Sequence, residues 1–136
     1  MEGQLHSLLK RTVFKELEKE GYALFIEPIE SPLERLWWNS YKPDLLGIMS
    51  HDNCFKIALV ECETNPRKRR VIEKISKIRA SLMLQTKLNE KQVIRPILTI
   101  PTVSFCRINY PEIREFWEIW IITNSGEILH KIDKKR

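Results

Sequence analysis

The sequence predicts an α/β protein in which a mixed β-sheet is flanked by helices, folded as a single domain across residues 1–136. Two helical patterns of apolar residues occur, one at the start of the chain and one near its middle. Short apolar or alternating runs between and after them predict strands. This order of elements is typical of a mixed sheet covered by helices, and 136 residues suffice for one hydrophobic core.

The first helix is predicted over Gln4–Lys19 and ends at Gly21, a residue that suits a left-handed C-cap. Its apolar residues recur at helical spacing: Leu5, Leu8, Leu9, Val13 and Leu17. The following run, Tyr22–Glu27, predicts a strand, and Pro28 stops it.

An antiparallel hairpin is predicted next. Its strands are Asp44–Met49 and Phe55–Glu63, and the polar turn 50–53 joins them. The predicted register pairs Met49 with Cys54.

The second strand of this hairpin ends in two carboxylates on one face. Leu59, Glu61 and Glu63 alternate, so their side chains point the same way. The predicted register places Asp44 opposite Leu59, as the diagonal neighbour of Glu61. Buried carboxylates require a compensating positive charge, which either a divalent metal or a nearby Lys or Arg supplies.

A basic helix is predicted over residues 66–85, directly after the carboxylates. Thr64 or Asn65 can cap it, and Pro66 suits its first turn. Its apolar stripe comprises Val71, Ile75, Ile78 and Leu82, and most other positions are basic: Arg67, Lys68, Arg69, Arg70, Lys74, Lys77 and Arg79. The helix N-terminus can therefore hold a phosphate beside the carboxylates, although a solvated helix face is the alternative.

The last third of the chain predicts three more strands. They are Val93–Ile100, Trp117–Thr123 and Glu127–Ile132, with a short helix at Pro111–Phe116. The segment Thr102–Ile108 is expected either to extend the sheet or to form a loop.

Composition restricts the classes of function. The net charge of +5 favours a polyanionic partner. The three cysteines form no CxxC pair, which argues against a cysteine zinc site or a disulfide framework, and neither GxSxG nor GxxxxGK occurs. No apolar run reaches the roughly 18 residues of a membrane helix and no signal-peptide pattern opens the chain, so we expect a cytoplasmic protein without a membrane partner.

Pro43-Asp44, the hairpin and Glu61-x-Glu63 together resemble the PD-(D/E)XK nuclease superfamily, over roughly residues 1–100. Within it the chain looks most similar to small archaeal or viral nucleases of the Holliday junction resolvase or restriction-endonuclease kind. The resemblance implies a restriction-endonuclease-like fold and a metal-dependent endonuclease that acts on duplex or branched DNA. A single small domain has one site, and cutting both strands takes two, so we expect a homodimer. The resemblance further implies that Asp44 and Glu61 bind Mg²⁺, or Mn²⁺, and that Glu2 completes the shell.

Position 63 departs from the superfamily motif, which usually has lysine where this chain has Glu63. Some restriction enzymes of the superfamily carry glutamate there; alternatively, the following helix supplies the lysine, or catalysis has been lost. Lys74 is the preferred substitute because it neighbours the apolar stripe. The predicted catalytic residues are thus Asp44, Glu61, Glu63 and Lys74, and the predicted DNA contacts are Arg67, Lys68, Arg69, Arg70 and Lys77.

Two other functions fit the sequence. One is a nucleic-acid-binding module with the same fold and no catalysis, which keeps the basic helix and uses the carboxylates structurally. The other is an interaction protein whose tryptophans meet a partner: Trp37, Trp38, Trp117 and Trp120.

Overall fold

The computed structural model describes residues 3–26, 41–52, 54–86 and 92–135. Its elements in chain order are α1 (Gln4–Glu20), β1 (Ala23–Phe25), β2 (Leu45–His51), β3 (Cys54–Cys62), α2 (Lys68–Thr86), β4 (Gln92–Pro101), a 3₁₀ segment (Thr102–Arg107), α3 (Pro111–Arg114), β5 (Glu118–Ile122) and β6 (Ile128–Ile132). Within this described part, no helix is long and apolar enough to cross a membrane.

Six strands of the described part form one sheet, in which the spatial order follows the chain from β1 to β6. The pairs β3–β4 and β4–β5 are parallel, whereas β1–β2, β2–β3 and β5–β6 are antiparallel. The carboxyl ends of β3, β4 and β5 therefore meet at one end of the sheet, where β2 begins. We call this end the carboxyl edge.

Helices cover both faces of the sheet. On one face Leu9, Val13 and Leu17 of α1 are buried in a cluster that includes Val60 and Trp120. The other face is covered by α2 and α3, whose buried residues pack in a second cluster: Val71, Ile75, Ile78 and Ile113, with Leu59 and Leu98 of the sheet. The predicted class, a mixed sheet flanked by helices, is confirmed.

The register of the β2–β3 hairpin differs from the prediction by two residues. Met49 pairs with Lys56, and His51 pairs with Cys54, so the pairing extends further towards the turn than predicted. Asp52, directly after His51, adopts a left-handed backbone conformation with φ 46°, as tight hairpin turns require. Because a shift of two residues preserves the faces of a strand, the change moves Asp44 along the sheet without turning it over.

Other boundaries also differ. The first strand covers only Ala23–Phe25 of the predicted 22–27, and the segment Thr102–Arg107 is a 3₁₀ turn rather than a strand or an irregular loop. The short helix ends at Arg114 instead of residue 116. Glu2, Trp37 and Trp38 lie outside the described residues.

Candidate functional site

Glu61 and Glu63 lie where β3 reaches the carboxyl edge, on one face of the strand as predicted, and both side chains are turned towards α2. Glu61 is 3% exposed and Glu63 is 7% exposed. The strand is fixed here because the Glu63 N–H donates to the Thr99 carbonyl of β4 at 2.9 Å. Two carboxylates are thus largely excluded from water, and buried carboxylates need a positive partner.

Lys74 of α2 supplies that partner. Its Nζ donates to Glu61 Oε2 at 2.9 Å and also to Glu63 Oε1. Burial opposes the charged ammonium, but Glu61 and Glu63 outweigh that effect, so the pKa of Lys74 is raised. Arg70, one turn earlier, places Nε 3.6 Å from Glu63 Oε1. The structure therefore brings together Glu61, Glu63 and Lys74, three of the residues predicted to be catalytic.

Tyr41 holds the other oxygen of Glu61. Its O–H donates to Glu61 Oε1 at 2.8 Å, and the side chain is buried. Burial, followed by the nearby Glu61 charge, raises the pKa of Tyr41 well above its ordinary value, so the phenol stays a neutral donor. The sequence offered no signal for this residue, because it lies in the connection before β2, 20 positions from Glu61.

Asp44 completes the group at the start of β2. Leu45 pairs with Val60, and the Asp44 N–H donates to the Val60 carbonyl at 2.9 Å, which brings Asp44 beside Glu61. Its Oδ2 accepts a hydrogen bond of 2.8 Å from the Cys62 N–H. His6 Nε2 of α1 lies 3.7 Å from the same oxygen. We call Tyr41, Asp44, Glu61, Glu63 and Lys74 the carboxylate site.

The carboxylate site has an excess of negative charge. Burial raises the pKa of Glu61 to about 7, and the charge of Asp44 acts in the same direction. Lys74 and the Tyr41 hydroxyl oppose this rise without cancelling it. A further cation near Asp44 and Glu61 would favour the ionised form of Glu61.

The carboxylates of this site suit Mg²⁺ better than they suit a metal whose ligands are all protein side chains. Across the described ranges, no three His, Cys, Asp or Glu side chains are arranged to hold one ion. Mg²⁺ commonly binds through one or two carboxylates and completes its shell with waters and substrate phosphate oxygens. Asp44 and Glu61 provide two such carboxylates, and both oxygens of Glu61 also accept hydrogen bonds from Tyr41 and Lys74. Glu63 is paired with Lys74 and Arg70.

Basic side chains surround the start of α2, next to these carboxylates. An open cleft of about 580 Å³ there is lined by Glu63, Thr64, Asn65, Arg67, Arg69, Arg70 and Glu73. Arg69 is 93% exposed and forms only a loose pair with Glu73 at 3.4 Å, whereas Lys68 lies 4.0 Å from the Tyr110 ring centre. Arg107 of the 3₁₀ segment donates to the Asn65 side chain. Lys77 is exposed further along α2.

Two of the four tryptophans do not form a partner surface. Trp117 and Trp120 are fully buried, the first in the cluster under α2 and the second in the cluster under α1. Helices cover both faces of the sheet at these two positions, so both rings are enclosed. The interpretation that these two rings meet a partner is wrong.

Two solved structures share this fold. One is the crystal structure of a fdxN element excision controlling factor protein from Anabaena variabilis, with a TM-score of 0.53 and 13% identity, covering 93% of this chain and 99% of that chain. The other is an XisH family protein from Nostoc punctiforme, with a TM-score of 0.51 and 15% identity, covering 95% and 98%. No family model and no curated protein sequence matches the chain. The likeness confirms a restriction-endonuclease-like fold, while the narrower resemblance to archaeal or viral resolvases finds no support.

Proposed function

We propose that this protein is a divalent-metal-dependent DNA endonuclease that hydrolyses phosphodiester bonds at the carboxylate site. One observation carries the proposal: the buried Glu61 lies beside Asp44 at the carboxyl edge and is gripped by Tyr41 and Lys74. A buried acidic group with a perturbed pKa and a positioned lysine is typical of a catalytic site. The nuclease-like fold agrees with this assignment.

Asp44 and Glu61 are the proposed ligands of Mg²⁺ or Mn²⁺, and Glu2 remains the proposed third ligand. When bound, the metal supplies Lewis-acid activation of water and neutralises charge on the scissile phosphate. Lys74 places an ammonium next to Glu61, where it can stabilise the additional negative charge that develops on the phosphate. Glu63 anchors that ammonium from the second side.

The basic start of α2 is the proposed binding surface for the DNA backbone. Its basic side chains are exposed, as is Lys77 further along the helix, and their guanidinium and ammonium groups suit phosphate oxygens. The residues at the start are Arg67, Lys68, Arg69 and Arg70. They lie beside the carboxylates, so a phosphate bound there is close to the reacting position. Cleavage of both strands of a duplex or junction takes two sites, and we therefore propose that the protein acts as a homodimer.

A second function is favoured by a specific contact. Lys74 already pairs with both glutamates, so Glu61 and Glu63 share a positive partner without a metal. The Asp44 side chain likewise has a structural partner in the Cys62 N–H. A nucleic-acid-binding module that uses these contacts only for stability would have the same arrangement of side chains.

A cleavage assay separates the two functions. Plasmid and branched DNA are incubated with Mg²⁺ or Mn²⁺ and then with a chelator, using wild type, Asp44→Asn and Glu61→Gln. The nuclease predicts metal-dependent cleavage that falls by about 100-fold or more in both variants. Glu115→Gln, an exposed carboxylate on the turn after α3, is the matched control and should cleave normally. DNA binding by wild type without cleavage under either metal would establish the module instead.

A further inference from the structure

We infer that DNA held at the carboxylate site also crosses the N-terminal half of α1, where Ser7, Lys10 and Arg11 contact its phosphodiester backbone. We call these three residues the α1 rim. The inference rests on the proposed function, because it concerns the same DNA. It adds a second contact surface on the opposite face of the sheet from α2.

Charges of opposite sign are separated along α1. The segment Gln4–Lys15 contains basic residues and no Asp or Glu, whereas Glu16, Glu18 and Glu20 lie in its last turns. The helix dipole disfavours carboxylates in the last turn, by about 0.3–1 kcal/mol for each charge, and does not act on Lys10 and Arg11, which lie beyond the first turn. The acidic end is explained by structure, because Glu16 pairs with Lys131 and Glu20 with Arg95.

The start of α2 is basic as well, and there the cations lie within the first turn, where the dipole disfavours them. Lys68, Arg69 and Arg70 form its first turn, which has no acidic residue. Both N-terminal halves lie at the carboxyl edge: α2 starts shortly after β3 ends, and His6 of α1 lies 3.7 Å from Asp44. A polyanion bound at this edge would meet basic side chains of both helices and would offset the first-turn cations of α2, and local rules are commonly broken at functional sites.

The α1 rim has a groove suited to an extended chain. An open groove of about 610 Å³ lies between α1 and the turn after β5, and Gln4, Ser7, Arg11 and Asn124 are among its lining residues. Because β5 ends at the carboxyl edge, Asn124 lies at that edge as well. Hydroxyl, amide and guanidinium groups are those that contact phosphate and sugar in protein–DNA complexes.

Lys10 connects the groove with the carboxylate site. Lys10 lines an open cleft of about 380 Å³ together with Ser7, Arg11 and Leu45. Because Leu45 directly follows Asp44 at the start of β2, this cleft reaches the edge of the sheet that carries the carboxylates. A DNA strand can run from the α2 surface, past the carboxylates, to the α1 rim.

The test is a charge reversal on α1 with a matched control on the same helix. Arg11→Glu and Lys19→Glu change the net charge equally, and both side chains are exposed, but Lys19 lies in the last turn. Affinity for branched and duplex DNA is measured across a salt series with the metal replaced by chelator. Arg11→Glu should weaken binding about five- to tenfold and lower the slope of log affinity against log salt by about 1, whereas Lys19→Glu should change neither.

A contact measurement backs the affinity data. Ser7→Cys, in a background with Cys54→Ser and Cys106→Ser, is given a photoreactive label and should crosslink to DNA; Lys19→Cys should not. Unchanged affinity in Arg11→Glu together with no crosslink from position 7 overturns the inference, while intact cleavage by wild type keeps the proposed function. If Arg11→Glu instead alters only self-association in sedimentation, the surface is an interface between copies and the inference is also overturned. Failure of wild type to bind DNA at all would sink both.

Discussion

Lys74 Nζ lies 2.9 Å from Glu61 Oε2, so the lysine at this site comes from the helix after the motif rather than from the motif strand. Glu63 occupies the strand position of the expected lysine and accepts a hydrogen bond from the same ammonium. Lys74 therefore provides a positive group beside Glu61 from α2, and Glu63 takes the position on β3 where a lysine is expected. This relationship explains why glutamate at position 63 is compatible with the proposed chemistry.

An exchange of charges between positions 63 and 74 tests this relationship. Glu63→Lys and Lys74→Glu each place like charges together and should each lower the cleavage rate by about 100-fold. The double variant restores an opposite pair with lysine on β3, so it should exceed either single variant by about tenfold or more. Rates are measured on plasmid DNA with Mn²⁺, after circular dichroism shows which variants fold.

Neutral substitutions test the same pair without placing like charges together. Lys74→Met and Glu63→Gln should lower the cleavage rate while DNA affinity stays within about twofold. Lys134→Met, an exposed lysine after β6, is the control. A double exchange that folds and yet is as inactive as its parents contradicts the shared role of Lys74 and Glu63.

Tyr41 is predicted to orient Glu61 for metal binding. Tyr41→Phe removes the donor to Glu61 Oε1, so the carboxylate loses one of its two fixed partners. Loss of such a supporting hydrogen bond should weaken Mn²⁺ binding about tenfold, measured by isothermal titration calorimetry. Tyr110→Phe removes a hydroxyl from a partly exposed ring and should leave Mn²⁺ affinity unchanged. Equal affinities for Tyr41→Phe and wild type would remove Tyr41 from the functional site.

The elements of the fold could be predicted because apolar periodicity reports burial directly. Leu9, Val13 and Leu17 mark the buried stripe of α1, and the stripe of α2 through Val71 and Ile75 placed Lys74 beside the carboxylates. These patterns depend on neighbours in the chain, where a 3.6-residue or two-residue period decides which side is enclosed.

The geometry between elements could not be predicted in the same way. The hairpin register depends on a left-handed Asp52, which no alternating pattern indicates. The Tyr41–Glu61 bond joins a connection to a strand, so neither local propensity nor spacing reveals it. The sequence does not show that Trp117 and Trp120 are enclosed, because their burial depends on the helices that cover both faces of the sheet.

Glu61 should make stability depend on pH. Its pKa is raised from 4.5 to about 7, so the folded state holds a proton that the unfolded state releases. Stability from this group is full below about pH 4.5 and is lost as pH rises through about 7, by roughly 3 kcal/mol. Urea unfolding of wild type and Glu61→Gln at pH 4.5 and pH 8 should show the variant gaining on wild type by about that amount.

Mg²⁺ provides the second arm of that measurement. If Asp44 and Glu61 bind the metal, saturating Mg²⁺ at pH 8 should raise the unfolding free energy of wild type and leave Glu61→Gln unchanged. A constant difference between the two proteins at both pH values would mean that Glu61 titrates normally. An equal Mg²⁺ effect on both would place the metal elsewhere.

Arg95 at the opposite end of the sheet should contribute to stability and not to cleavage. Its guanidinium forms two hydrogen bonds to Glu118, at 2.7 and 2.8 Å, and one of 2.9 Å to Glu20 of α1. Burial raises the pKa of Glu118, but Arg95 and Trp120 outweigh it and lower that pKa. Arg95→Met leaves a largely buried carboxylate without its cation, which should cost about 3 kcal/mol in urea unfolding.

Two further variants test the origin of this loss of stability. Arg95→Met with Glu118→Gln removes both charges and should recover part of the stability. Arg69→Met removes a 93% exposed side chain paired only along its own helix, and its unfolding midpoint should match that of wild type. The cleavage rate per folded molecule should be unchanged in Arg95→Met, because this network lies at the amino ends of β4 and β5, away from Glu61. A reduced rate with a normal unfolding midpoint would contradict the assignment of Arg95 to stability.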